Sequence, residues 1–192
     1  MTQELEQDLR ILEAEAERAG PGAAAHVLNR AGDLCLGAGD LDRGLSYYGR
    51  AIDASLVARR YNAAAGLCRK LLRVAPTAVR TRCTLAWLAL GRGDEAETTR
   101  EITGYVDAAV TAGQQPLAIA HLRMMAETTR VPAIRHAVAD HLERLGQTGA
   151  AQAVRRMIPA DPTPPSLTAD QQEQLWRSVV NAAVLSPEEL GA

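Results

Sequence analysis

Apolar residues recur along this chain at steps of three and four, and the steps break at glycines, prolines and charged pairs. Leu5, Leu9, Leu12 and Ala16 open the pattern, with Glu and Asp on the opposite side, the stripe of an amphipathic helix. Ala24, Val27, Leu28, Ala31, Leu34 and Cys35 form the next face. Carried to the end, the spacing predicts about ten helices, near 3–18, 22–37, 41–58, 61–74, 77–90, 94–112, 116–127, 132–145, 148–157 and 169–183. Pro76 and Pro132 mark boundaries through their missing N–H and fixed φ. Short connections between helices of this length predict antiparallel hairpins.

The segment GAGDLDRG, 37–44, admits two chemistries. A phosphate-cradling loop needs a strand before the glycines and a helix after them. Here a helical face precedes them and no G-K-[ST] follows. A turn of a helical repeat should recur instead. LGAGD at 36–40 is echoed by LGRGD at 90–94 and more loosely by LGQTG at 145–149, with first glycines 54 and 55 residues apart. The stretch therefore reads as a helix-to-helix turn, with Asp40 placed to cap the helix that begins at Leu41. Lesser breaks fall at Arg59–Arg60 and at AGQQP, 112–116.

At these positions the chain resembles the tetratricopeptide repeat family. Leu28, Ala31, Gly32, Cys35, Gly39, Asp40, Gly44, Tyr48 and Ala51 fall on its large, small and aromatic signature positions. Tyr61, Ala64, Cys68, Leu71 and Pro76 match the second half of a repeat, and Cys83, Trp87, Asp94, Glu95 and Ala96 match another. Val138, Leu142, Gly146 and Ala151 match a last one, so the resemblance covers about 25–157. The family period is about 34 residues, against 54–55 here, and Gly44 stands where alanine is expected. The resemblance implies an all-α, right-handed superhelical array of antiparallel hairpins, an α-solenoid whose first helices line a concave groove. That groove would hold Asn29, Arg30 and Asp33, then Thr81, Arg82 and Leu85, then His136, Asp140 and Glu143. Asp33 and Asp140 would repel a partner's carboxylate, unlike the carboxylate-clamping chaperone adaptors of the family.

Composition supports the helical class. The chain is 47% hydrophobic and 23% charged, but only 3% aromatic and without Phe, so its core relies on close helix approach through small residues. The N-terminus, MTQELEQDLR, is acidic, unlike a secretory signal. No apolar run approaches the roughly 20 residues of a membrane span. Three cysteines without C-x-x-C spacing predict reduced core thiols and a cytoplasmic setting.

The ends differ from the middle. Residues 1–20 predict a capping helix, or else a coiled-coil seam. Residues 22–157 form the repeat region and 158–168 a proline-rich linker. Residues 169–192 form a helix and tail, opened by a Thr168/Gln171 capping box, with Ser186-Pro187-Glu188-Glu189 as a second helix-start signal. Leu175, Trp176, Val179 and Val180 give that helix an apolar docking face. It could close the groove of its own array, enter a second copy or pack as a terminal cap.

Net charge of −2 conceals a basic middle: Arg50, Arg59, Arg60, Arg69, Lys70, Arg73, Arg80 and Arg82 face only Asp53 within 50–82. That band reads as a solvated face, a dock for the chain's acidic helices, a site for an acidic protein segment, or a phosphate-binding surface. Scarce aromatics and the lack of a nucleic-acid-reading motif disfavour the last. The histidines His26, His121, His136 and His141 lack metal-ligand spacing and read as surface or groove residues. No catalytic set, metal or cofactor is expected. The expected function is a non-catalytic adaptor or scaffold holding an acidic or amphipathic segment of another protein. Self-assembly through the C-terminal helix is the alternative.

Overall fold

The computed structural model describes residues 3–159 and 167–184. Among these, all regular structure is helical, in ten helices: α1 (Gln3–Arg18), α2 (Pro21–Gly37), α3 (Leu41–Val57), α4 (Tyr61–Val74), α5 (Val79–Arg92), α6 (Glu95–Thr111), α7 (Gln115–Thr128), α8 (Pro132–Arg144), α9 (Thr148–Arg156) and α10 (Ala169–Val184). Nine match the sequence expectation to within one residue at each end. The exception is α5, which lies two residues later than expected. Gly91 stays inside it, and Gly93 takes the left-handed conformation (φ 72°) that ends it. The proline-rich stretch over 160–166 and the Ser186-Pro187-Glu188-Glu189 signal lie outside the described residues.

The chain divides into two compact units, 1–76 and 77–192. In the first, the α1 stripe Leu5, Leu9, Leu12 and Ala16 is buried in one cluster with Val27, Leu28, Ala31 and Cys35 of α2 and Tyr47 and Ala51 of α3. Each fully buried leucine contributes about 1.5–3 kcal/mol. The α2/α3 hairpin closes tightly because two glycines stand where side chains would collide. A Cβ on Gly32 would lie 2.6 Å from the Tyr48 ring, and one on Gly44 2.8 Å from the Leu36 side chain. Asp40 Oδ1 accepts from the Arg43 N–H at 3.2 Å and so caps α3.

In the second unit α5 is buried along Thr81 and from Cys83 to Gly91. It pairs with α6 in a hairpin that Asp94 caps by accepting from the Glu97 N–H at 2.8 Å. The α8/α9 hairpin follows, and α10 packs on α5 and α7. Ile102, Val106, Leu122, Met125, Ile134, Val138 and Leu142 are fully enclosed.

A left-handed turn recurs in both units, falling on the C-cap itself at Gly93 and one residue beyond it elsewhere. Left-handed residues end α2, α5 and α8 at Gly39, Gly93 and Gly146, 54 and 53 residues apart. A second set ends α3 at Arg59 and α6 at Gly113, again 54 apart. After Gly39, Arg59, Gly113 and Gly146 the next N–H reaches back to a carbonyl five residues earlier: Asp40 to Cys35, Arg60 to Ser55, Gln114 to Ala109 and Gln147 to Leu142, at 2.8–2.9 Å. This Schellman closure satisfies carbonyls that a helix end otherwise leaves open.

Candidate functional site

Three of the sequence-selected residues meet in the first unit. Asn29 and Asp33 lie one turn apart on α2, and Lys70 reaches them from α4. Its Nζ donates to Asn29 Oδ1 at 2.8 Å and to Asp33 Oδ1 at 2.5 Å. The same Asp33 oxygen accepts from the Tyr48 hydroxyl at 2.5 Å, and the Lys70 ammonium lies 4.7 Å from the Tyr48 ring centroid. Partial burial raises the Asp33 carboxyl, but hydrogen bonds from Lys70 and Tyr48 outweigh it and hold its pKa below the ordinary value. Tyr48 is driven the other way, by burial and then by the carboxylate it serves. Arg30 on α2 and Arg73 on α4 stand exposed on the same two helices. The result is a polar cluster with exposed guanidinium groups on the helices that carry it.

The rest of the basic band is dispersed. The division between units falls at 76/77, inside the band. Arg59 forms the left-handed turn after α3, and Arg60 Nη1 donates to the Gly22 carbonyl at 3.3 Å. Arg69 is exposed on α4. Arg50 pairs with Glu13 of the acidic α1 at 3.5 Å. Arg80 and Arg82 begin α5, the Arg82 guanidinium lying close above Gly104. His136 and Asp140 are exposed on α8, and Asp140 shares Arg155 with Glu143, at 3.0 and 2.5 Å.

The α10 face is the second candidate. Thr168 and Gln171 form the reciprocal capping box, at 3.0 and 3.3 Å. Gln172 Nε2 then donates to the Gly91 carbonyl at 3.1 Å, and the Trp176 ring lies where a Gly91 Cβ would come within 2.6 Å of it. Val179 and Ala182 are buried, while Leu175, Trp176 and Val180 are half-buried. A cleft of about 340 Å³ lies beside the first turns of α10, lined also by the ends of α5 and α7.

Set against models of known families, curated proteins and solved structures, the chain matches none. Its own geometry is therefore the basis for a function.

A third constellation escaped the sequence reading. His121 is not a surface or groove residue: it is 4% exposed in the second unit. The Tyr105 hydroxyl lies 2.7 Å and Cys83 Sγ 3.3 Å from its Nδ1. With the hydroxyl donating to Nδ1, the ring proton sits on Nε2, a buried atom without a hydrogen-bond partner. Burial holds the imidazole at about 4, pushes the Cys83 thiol up to about 12 and raises Tyr105. A thiol so raised and enclosed is not a nucleophile at neutral pH. The signal was present in α7, where His121 falls on the same stripe as Ala118, Leu122 and Met125. His141 is half-buried and shares a hydrogen bond of 3.1 Å with Thr103; His26 is exposed, as is His136.

No helix of the described residues is long and apolar enough to cross a membrane, and none of their His, Cys, Asp and Glu form a group that could hold a metal.

Proposed function

We propose that the chain is a non-catalytic adaptor of the tetratricopeptide-like solenoid type, which holds an acidic or amphipathic segment of another protein. The observation that carries this reading is the recurrence of one hairpin turn at Gly39, Gly93 and Gly146. Regular spacing of one helix–turn–helix unit suits stacking into an extended binding surface. The Asn29–Asp33–Lys70 cluster supports it, because Lys70 neutralises Asp33 there and leaves the exposed Arg30 and Arg73 to receive carboxylates through charge-assisted bonds. The three free, buried thiols support a cytoplasmic location for it.

The test is affinity capture from lysate of the source cell, with and without nuclease, read by mass spectrometry. A stoichiometric protein that survives nuclease and is lost with Arg30→Glu/Arg73→Glu at unchanged helicity supports the reading. Recovery of the bait alone transfers the function to self-assembly, and partners lost with nuclease transfer it to nucleic acid.

A further inference from the structure

We infer that the α5/α7 face is a receptor for an amphipathic helix of a partner protein, and that α10 is its resident, displaceable occupant. The inference rests on the adaptor reading and names a site within it. Three observations carry it. The face has a seat built for an aromatic ring: Gly91 is a helical glycine inside a buried stretch of α5, and the Trp176 ring takes the space its side chain would fill. The seat also offers a backbone acceptor, the Gly91 carbonyl, which Gln172 reaches at 3.1 Å from one turn before the tryptophan. Yet α10 fills its seat incompletely. Only Val179 and Ala182 of its described apolar face are fully buried, and the cleft of about 340 Å³ remains beside Leu175 and Gln174.

The geometry defines the ligand. It is a helix with a hydrogen-bonding amide, an aromatic four residues later, then β-branched and small residues at steps of three, as in Gln172, Trp176, Val179 and Ala182. Its first turn lies among the C-terminal ends of α5 and α7, Leu90–Gly93 and Glu127–Val131. Helix ends of opposite polarity attract, and the exposed Glu127 and Arg130 both stand at this cleft. The first turn of the ligand therefore meets charge of both signs, as α10 does with Asp170. A larger side chain at the position of Leu175 enters the cleft and raises affinity over α10. The tether supplies α10 at an effective concentration on the order of millimolar, so an outside helix must fit better to displace it.

The probe is a fluorescein-labelled peptide of residues 167–184, titrated by fluorescence anisotropy. Full-length Trp176→Ala/Val179→Ala, whose own α10 is loosened, should bind it at least tenfold more tightly than the wild-type chain, and adding Gly91→Leu should abolish that gain. Equal binding by wild type and variant, or none by a variant of wild-type helicity, overturns the inference. A second measurement needs no altered chain. The same peptide bearing Trp176→Phe and also Leu175→Phe, which fills the cleft and lets it compete with the tether, titrated into wild-type protein, should shift tryptophan emission to the red as Trp176 leaves its seat, Trp87 being fully enclosed. No shift up to millimolar peptide overturns the inference. So does displacement only as the chain dimerises in sedimentation, which makes the occupant a second copy. Because the probe is the chain's own segment, its failure leaves the Arg30/Arg73 face untouched. Failure of capture from lysate leaves the α10 seat untouched.

Discussion

The two units share a turn and both keep ion pairs at the surface, but among the described residues the second also encloses a thiol, a phenol and an imidazole together. In the first, inter-helix polar contacts lie at the surface: Glu6 with Arg43 at 2.6 Å, Glu13 accepting from the Tyr47 hydroxyl at 2.6 Å, and Asp33 serving Tyr48 and Lys70. In the second, Cys83, Tyr105 and His121 are enclosed together. Solvent screens the first set, so its members can exchange partners at small cost. The second set has no water to fall back on, and a change in its protonation acts on stability directly. One repeat pattern thus supports both an adaptable face and a rigid core.

Acid is the strongest probe of this contrast. His121 has a folded pKa of about 4, below the roughly 6.5 of the unfolded chain. The unfolded state therefore binds more protons between those values. The stability from the neutral imidazole is complete above about pH 6.5 and falls by about 3 kcal/mol as pH drops to about 4. Both tryptophans, Trp87 and Trp176, belong to the second unit, so melts followed by their fluorescence at pH 7 and 4.5 should show that loss. His121→Leu should lose far less over the same interval; equal losses would refute the assignment. Next in size is Gly32→Val, which drives a side chain into the Tyr48 ring and lowers first-unit stability by about 2 kcal/mol. Helicity by circular dichroism should then fall before tryptophan emission changes. Simultaneous transitions would mean that the units unfold as one. The smallest effect compares equivalent turns. Arg59, at φ 56°, carries a left-handed cost that Gly113, at φ 71°, does not. Arg59→Gly should stabilise by about 1 kcal/mol, less what its side-chain contact contributes, and Gly113→Ala should destabilise by about the same. Equal and same-signed shifts would break the correspondence.

Helix ends were legible because local chemistry sets them. Asp40, Asp94, Thr168 and the glycines act within four residues of themselves, and the structure places each cap within that range. The α5 end was misjudged because LGRGD offers two glycines, and the left-handed turn falls on the second, Gly93, as it falls on Gly39 of LGAGD. The Asp33–Lys70 bond joins helices 37 residues apart, and no spacing rule reaches that far. His121 shows the opposite case: its place on the α7 stripe was readable, but its polarity argued for the surface. Burial won because Tyr105 supplies a partner that water would otherwise supply.

The bond between Gln172 and Gly91 spans 81 residues, while Lys70 with Asn29 spans 41 and Cys83 with His121 spans 38. Contacts close in sequence form early, and distant ones wait for loop closure. On the ribosome the order is stricter still. At about 5–20 residues per second, the α5/α7 seat, whose last lining residue is Val131, precedes Gln172 of its own occupant by roughly 2–8 s of synthesis. A newborn chain therefore passes through an interval with that face open, and whatever helix is at hand then meets a vacant receptor without competition.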